Sequence, residues 1–486
     1  MKDLNVLFIS SEIEPYAKSG GLADVSSALP KALATKEGIK VKSVMPLYSS
    51  INREKYGLTK ILDSVCVHMG NCEEWFSVYH TNKPYGTDVY FIEFNKYFER
   101  KGLYHDAAGE FGDNVERFSF FCKAALQTAK DIGFQPDILH CNDWQTSFAP
   151  YYVKCGEDGF FWGTRSVLTI HNIGYQGNFG TDALGYAKIY PADFNAGAFE
   201  SFGRLNILKG GIAFADKITT VSPTYAMEIL GPIGSGGLHD ILRSRKNDLS
   251  GIINGIDTEV WNPEKDNLIE AKYSVKNYAQ GKKANKKKLQ KMFDLADSPN
   301  VPLFGFVGRF ASQKGLGLLS GAIERAVNSM ICQVVILGSG DEEAQWYFGG
   351  LPARYPGVVG AYIGYDETRS HMIEAGSDFF LMPSLYEPCG LNQMYSQIYG
   401  TLPIVRATGG LDDTVEQYYE PTGAGTGFKF YDISAGALYD TMGWAVSTYF
   451  DRESHMDIMI KRAMQKDFSW NEPAKQYIEL YRSLKG

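Results

Sequence analysis

The stretch Lys18-Ser19-Gly20-Gly21-Leu22-Ala23-Asp24-Val25 joins a predicted strand to a predicted helix. The apolar run before it, residues 4–10, is typical of a strand buried on both faces, as in a parallel sheet. After it, apolar residues recur at the helical spacing of Leu22, Val25, Leu29 and Leu33. Adjacent glycines let the backbone approach a ligand, a helix N-terminus favours an anion, and Lys18 adds positive charge. The stretch therefore predicts an anion-binding loop, although a plain turn with a surface lysine fits it equally well.

Length and composition restrict the class of protein. A chain of 486 residues is too long to fold around one hydrophobic core, so two or three domains are expected. A net charge of -8 argues against a general nucleic-acid partner. No apolar stretch reaches the ~18 residues that span a bilayer, and no signal peptide is visible, which predicts a cytoplasmic protein without a membrane partner. The seven cysteines show neither CxxC nor Cys/His ligand spacing, so neither a disulfide framework nor a zinc site is expected.

In the first half of the chain, two predicted strands end in polar residues. Residues 136–140 precede Cys141-Asn142-Asp143-Trp144-Gln145, and residues 167–170 precede His171. An α/β sheet keeps its ligand groups at the carboxyl ends of its strands. His171 is therefore placed for a functional role as much as for a structural hydrogen bond. Residues 61–69, 75–80 and 88–94 are predicted to form a peripheral antiparallel addition.

The second half shows strand, glycine-containing loop and helix at regular spacing, which predicts a doubly wound parallel sheet. The strands are expected at residues 302–307, 333–337, 358–364, 379–382 and 403–405. Arg309 and Lys314 share the loop after the first of them, where two positive charges could neutralise a diphosphate without a metal. The less favoured alternative is that they are surface charges on a turn. The lysine-rich segment 282–291 is predicted to be a helix with a solvated face, and Trp261-Asn262-Pro263 is the candidate domain boundary.

Motifs in both halves resemble those of bacterial glycogen synthases and plant starch synthases, in matching order from about residue 6 to residue 470. Besides the KxGGLxDV signature that begins at Lys18, they are Asn254-Gly255-Ile256-Asp257, Val307-Gly308-Arg309-x-x-x-Gln313-Lys314-Gly315, Pro383-Ser384-x-x-Glu387-Pro388-Cys389-Gly390-Leu391-x-Gln393 and Thr408-Gly409-Gly410-Leu411-x-Asp413-Thr414-Val415.

The resemblance implies an α/β fold of GT-B type, in which two Rossmann-like doubly wound domains face a cleft. The N-terminal domain, 1–250, would carry the KxGGL loop on the acceptor side, and the C-terminal domain, 262–455, would hold the nucleotide sugar. A C-terminal helix, 456–486, would cross back to the N-terminal domain. The resemblance further implies transfer of glucose from a nucleotide sugar, ADP-glucose in the type matched, to the nonreducing end of an α-1,4-glucan with retention of configuration. No cofactor or metal is implied, because two cations would already serve the diphosphate.

By the same resemblance, Arg309 and Lys314 would hold the diphosphate and stabilise its charge as the nucleotide leaves. Glu387 would grip the nucleotide-sugar end of the donor, and His171 would lie beside the anomeric centre. These four are the candidate catalytic residues. The candidate substrate-binding residues are Glu12, Lys18, Gly20, Gly21, Asp24, Asn254, Tyr365, Cys389, Gly390 and Leu391.

Three positions depart from the family pattern. Tyr395 stands where the broader retaining superfamily often has a second glutamate, and Asn142 and Gln145 stand where many relatives have histidines, which leaves acceptor preference open. One alternative is another retaining glycosyltransferase of the same fold, with a UDP-glucose donor or a small acceptor, such as a sucrose or trehalose-phosphate synthase. The other is a non-catalytic protein that binds glucan or nucleotide.

Overall fold

The structure, a computed structural model, describes residues 3–84, 86–107, 109–156 and 158–485. The chain divides into two units: unit 1 comprises Met1–Gly255 and Trp470–Gly486, and unit 2 comprises Ile256–Ser469. Within the described ranges, no helix combines the length and the apolar character that a membrane crossing requires.

Unit 1 is built on a large sheet with helices on both sides. Its strands are β1 (Leu4–Ile9), β2 (Ile39–Pro46), β3 (Thr59–Met69), β4 (Cys72–Thr81), β5 (Asp88–Glu93), β6 (His105–Asp106), β7 (Gly109–Glu110), β8 (Ile138–Asn142), β9 (Arg165–Ile170), β10 (Asn178–Phe179), β11 (Glu200–Ser201), β12 (Arg204–Asn206), β13 (Lys217–Thr220) and β14 (Leu249–Gly251). The helices before the first crossing to unit 2 are α1 (Gly21–Ala34), α2 (Asn95–Phe98), α3 (Asn114–Asp131), α4 (Phe148–Cys155), α5 (Ile207–Phe214), α6 (Pro223–Glu228) and α7 (His239–Ser244).

The large sheet has the strand order β14-β13-β9-β8-β1-β2-β5-β4-β3. Neighbours from β14 to β5 run parallel, whereas β4 is antiparallel to both β5 and β3. The antiparallel addition is therefore the β3–β4 hairpin, and its predicted extension to residues 88–94 is wrong in part. β5 pairs in parallel with β2, and its four central residues are buried, because both faces of a parallel strand are covered.

Unit 2 contains the second sheet. Its strands are β15 (Leu303–Phe310), β16 (Gln333–Gly340), β17 (Val359–Ile363), β18 (Phe379–Met382), β19 (Leu402–Arg406) and β20 (Phe428–Phe430). Its helices are α8 (Tyr278–Met292), α9 (Leu316–Ser329), α10 (Glu342–Arg354), α11 (Glu367–Gly376), α12 (Asn392–Ile398), α13 (Gly409–Thr414), α14 (Ala435–Asp451) and α15 (Glu453–Met464).

The sheet of unit 2 is parallel throughout, in the order β17-β16-β15-β18-β19-β20. Alternate residues of β16 enter different cores, as the period of a strand requires. Val334 and Ile336 pack with α9 and α14, and Val335 and Leu337 pack with α8 and α11. The predicted doubly wound sheet is confirmed.

The lysine-rich helix α8 is not simply solvated, so that prediction is wrong for two of its residues. Lys282 and Lys286 are buried. The ammonium of Lys282 donates to the Ala375 carbonyl at 3.1 Å and to Thr401 Oγ1 at 2.7 Å, and Lys286 pairs with Asp378 at 2.7 Å. Burial lowers the pKa of Lys282 to about 7. These partners come from distant segments of the chain, so a run of lysines in the sequence does not predict them.

The segment 456–486, predicted as one helix, forms two. α15 ends at Met464 in unit 2, and α16 (Asn471–Lys485) belongs to unit 1. Pro473 lies in the first turn of α16, where its missing N–H is tolerated, but it would disrupt a continuous helix. Tyr477 and Tyr481 of α16 pack on β1 and α1, and the Tyr481 hydroxyl lies 2.6 Å from Nδ1 of His140.

Candidate active site

The loop between β1 and α1 is held by a buried carboxylate. Oε1 of Glu12 accepts hydrogen bonds from the hydroxyls of Ser19 and Tyr104, both at 2.6 Å, and Oε2 accepts from the Ser19 backbone N–H. Gly20 then caps α1 with extended backbone. A Cβ at Gly20 would meet no atom within 4 Å, so the space in front of this helix N-terminus is open. The N-terminus of α1 thus leaves room for the anion that the sequence predicts there.

Lys18 places its ammonium beside the first turn of α1. Its Nζ lies 2.7 Å from Oδ1 of Asp24, and its side chain is 44% exposed. Burial raises the pKa of Asp24, and the adjacent Lys18 opposes that shift. The pair leaves a partly neutralised cation at the mouth of the loop, next to the exposed Gly21.

His171 follows β9 and is held from two sides. Asn142, at the end of β8, donates its Nδ2 to the Ile9 carbonyl at 3.0 Å, which turns its Oδ1 toward Nε2 of His171 at 2.9 Å. Because that oxygen can only accept, Nε2 must carry the proton and Nδ1 is the free acceptor. Burial lowers the pKa of His171 to about 3, so the ring is neutral at physiological pH.

Asp143 fixes the backbone of the same segment. Its Oδ1 accepts from the backbone N–H groups of His171 at 2.7 Å and of Asn172 at 3.4 Å. Asp143 adopts φ 57°, uncommon for a residue other than glycine. Burial raises the pKa of the Asp143 carboxyl to about 7, and the charge of Glu12 adds to the shift. Asp143 is not among the site residues predicted from the sequence, although an aspartate at the end of a buried strand is the available signal.

Lys314 and Glu387 come together in unit 2 from the loops after β15 and β18. Nζ of Lys314 lies 2.5 Å from Oε2 of Glu387, which also accepts from the Ser384 hydroxyl at 2.9 Å. The Glu387 side chain is only 7% exposed. Gly315 makes this approach possible: its φ is 67°, and a Cβ there would lie 2.0 Å from the Pro383 carbonyl oxygen. The buried carboxylate of Glu387 thus orients the Lys314 side chain, and the backbone at Gly315, which only glycine fits, allows this approach.

Arg309 lies near the end of β15 rather than on the loop with Lys314, which follows five residues later. It is exposed, and its guanidinium makes no hydrogen bond or ion pair with any residue in the described part of the chain. An arginine fork left without a carboxylate partner can bind a phosphate. Arg309 and Lys314 therefore offer one free and one aimed cation at the carboxyl edge of the unit 2 sheet.

The segment Cys389-Gly390-Leu391 lies between Glu387 and the start of α12. Gly390 has φ 72°, and Gln393 closes the turn by donating to the carbonyls of Cys389 and Gly390, both at 3.0 Å. The N-terminus of α13 packs against it, since the Gly410 N–H donates to the Glu387 carbonyl at 3.1 Å. The two glycine-containing motifs thus support one another.

Three further residues that the family resemblance concerns are Tyr365, Asn254 and Tyr395. Tyr365 follows the edge strand β17 and is 76% exposed. Asn254 follows β14 in unit 1, and its buried Oδ1 has no hydrogen-bond partner among the described residues. Tyr395 is buried on α12 and stacks on Trp261 at 3.8 Å between ring centroids. Trp261 in turn stacks on His371, so Tyr395 is part of the packing of unit 2.

Comparisons with known proteins match both halves of the chain. The family model of the starch synthase catalytic domain matches residues 5–244, and that of glycosyl transferases group 1 matches residues 287–456. The chain is 46% identical to glycogen synthase 1 of Geobacter metallireducens, covering 99% of this chain and 96% of the relative. It is 43% identical to glycogen synthase of Treponema denticola, covering 98% of each. A solved structure of the catalytic domain of starch synthase IV from Arabidopsis thaliana, bound to ADP and acarbose, matches with a TM-score of 0.91 at 34% identity over the full length of both chains.

Proposed function

Because the chain belongs to the family of bacterial glycogen synthases and plant starch synthases, and is therefore a retaining glucosyltransferase, we propose that it transfers glucose from ADP-glucose to the nonreducing end of an α-1,4-glucan. Adenine is supported by the bound ADP of the starch synthase IV structure, which is a property of that protein. Glycogen or a maltooligosaccharide is the proposed acceptor.

The observation that carries this proposal is the pairing of Lys314 with the buried Glu387, five residues along the chain from the exposed Arg309. As the glycosidic bond to the nucleotide breaks, negative charge grows on the diphosphate. Cations already fixed in position stabilise that charge without reorganising during the reaction. The lysine ammonium has three donors, so it can keep its bond to Glu387 and still meet a phosphate oxygen. We assign Glu387 the additional role of gripping the sugar end of the donor.

His171 is assigned to the other end of the reacting bond. Positive charge develops at the anomeric carbon in an oxocarbenium-like transition state. A neutral imidazole, held uncharged by burial, does not repel that charge. We assign the ring and the backbone carbonyl of His171 to the anomeric centre, and we assign Glu12, Lys18, Gly20, Gly21, Asp24, Asn254, Tyr365 and the segment Cys389-Gly390-Leu391 to donor and acceptor contacts.

The proposed enzyme needs no cofactor, and it needs no divalent cation at the diphosphate because Arg309 and Lys314 supply two positive charges there. Chelation with EDTA should therefore leave kcat and the KM for the donor within twofold. A loss of activity that Mg²⁺ or Mn²⁺ restores would contradict this assignment. The cytoplasmic location inferred from the sequence stays a prediction.

Donor choice is tested by initial rates with glycogen as primer and ADP-glucose or UDP-glucose as donor. We expect ADP-glucose to give the higher kcat/KM, and glucan chains to lengthen with retained α-configuration. A higher kcat/KM for UDP-glucose, or transfer only to a small acceptor, would favour another retaining glycosyltransferase of the same fold. Binding of donor and glucan with no detectable transfer of glucose would favour a protein that binds its ligands without reacting them.

A further inference from the structure

The hairpin β3–β4 brings three metal-ligating side chains to one face. Cys66 and His68 are two residues apart on β3, so they point to the same side of the strand. The register of the hairpin sets His68 opposite Glu73 and Cys66 opposite Trp75. The neighbours on the opposite face of β3, Val65, Val67 and Met69, are buried in the core of unit 1. The ligating face is therefore the outer one.

The three groups are close enough to share one ion. One ligand atom each of Cys66, His68 and Glu73 lies within 4.8 Å of the others. In a tetrahedral zinc site, with bonds of about 2.0 to 2.3 Å, ligand atoms lie roughly 3.5 Å apart. Small rotations of these side chains would close the difference, since Cys66 is half-buried and the other two are exposed. In the described part of the chain, none of the three side chains makes a hydrogen bond or an ion pair that would hold it back.

We propose that Cys66, His68 and Glu73 form a binding site for a zinc-like divalent cation, which clasps the two outermost strands of the unit 1 sheet. Thiolate and imidazole ligands select zinc over magnesium or calcium, which prefer oxygen. Exposure of His68 and Glu73 leaves the fourth position to water. Binding breaks the S–H bond of Cys66, forms a metal–sulfur bond and releases one proton to solvent.

The site is separate from the chemistry assigned to His171 and the loop after β1. β3 is the edge strand and lies four strands from β1, which is roughly 19 Å at about 4.8 Å per strand. An edge strand offers unpaired backbone groups and gains no support from a further neighbour. A cross-strand metal clasp would stabilise this edge. The site is not predicted from the sequence because Cys66-x-His68 becomes a ligand pair only on an extended strand, and the third ligand comes from the next strand.

The test uses the full-length chain, stripped of metal with a chelator and titrated with Co²⁺ as a spectroscopic probe for Zn²⁺. We expect one equivalent to produce a thiolate-to-cobalt charge-transfer band that Zn²⁺ abolishes and excess Mg²⁺ does not. Cys66→Ser should remove the band, and His68→Gln or Glu73→Gln should weaken Co²⁺ binding at least tenfold. Cys72→Ser is the matched control, because Cys72 is an exposed thiol on the same hairpin outside the cluster, and it should keep the band.

Each contrary result overturns the proposal. It is overturned if one equivalent gives no band, if the band survives Cys66→Ser, if it is lost in Cys72→Ser, or if His68→Gln and Glu73→Gln bind Co²⁺ as tightly as the wild type. Glucosyl transfer by every variant should stay within twofold of the wild type, which shows that the variants fold. Addition of Zn²⁺ should raise the Tm of the wild type and leave that of Cys66→Ser unchanged.

Discussion

Replacing Lys314 by alanine should lower kcat by about 10² to 10³. A phosphate charge about 4 Å from the ammonium, at an effective dielectric constant of about 20, interacts with it by about 4 kcal/mol. Only the charge that develops on the diphosphate as the bound sugar donor reaches the transition state affects kcat. The expected loss in kcat therefore falls in the range typical for the removal of one hydrogen-bond donor. The Lys314 side chain is 22% exposed, so solvent screens the interaction only in part.

The structure adds a second effect to the same substitution. Glu387, 7% exposed and 2.5 Å from the missing ammonium, would be left without its cation beside an anionic donor. Lys314→Ala should therefore also raise the KM for the donor. If Glu387 acts mainly by aiming Lys314, the variant that combines Lys314→Ala with Glu387→Gln should be no slower than Lys314→Ala alone, because losses within one interacting pair do not add.

The assay is the initial rate of glucose transfer from ADP-glucose to glycogen, with kcat and KM determined separately. Lys461→Ala is the matched control, since Lys461 pairs with Asp457 at 2.8 Å on the surface of α15, and exposed pairs contribute little. Its rate should stay within twofold of the wild type. A fall of only two- or threefold for Lys314→Ala would refute the role of this cation, and fully multiplicative losses in the combined variant would refute the aiming role of Glu387.

The remaining predictions concern the support of the site. Asn142→Ala should lower kcat roughly tenfold with little change in donor KM, because a hydrogen bond worth about 1 to 1.5 kcal/mol no longer fixes the tautomer of His171; a change in KM alone would contradict this. Gly315→Ala should cost at least about 1 to 2 kcal/mol of stability from its φ of 67° and should reduce turnover, whereas Gly317→Ala, whose Cβ meets nothing within 4 Å, should do neither. The pKa of Asp143 is raised from 3.8 to about 7 in the folded protein, so the unfolded chain loses this proton first as pH rises and the folded state loses stability. In denaturant unfolding, the wild type should lose up to about 4 kcal/mol more stability between pH 4 and 7 than Asp143→Asn does. Parallel pH profiles of the two proteins would contradict the assignment.

Much of the parallel framework could be predicted from local sequence. β1 is a short run of apolar residues buried on both faces, and such runs followed by glycine-containing loops are typical of doubly wound sheets. The same logic located His171 after β9 and Arg309 at the end of β15. It assigned residues 88–94 wholly to the antiparallel addition, because an apolar sequence does not specify which strand it pairs with. It also predicted one terminal helix where the chain makes two.

The chain itself, through its motifs, determined the family, the parallel sheets and the list of candidate site residues. Tertiary structure decided which groups hold them: the carbonyl of Ile9 that orients Asn142, the buried carboxylate that aims Lys314, and the distant acceptors that allow Lys282 to be buried. It also brought Cys66, His68 and Glu73 together across a hairpin. The physical reason is that hydrophobic periodicity and motifs are local along the chain, whereas hydrogen bonds and ion pairs between polar groups depend on strand register and on segments up to a hundred or more residues apart.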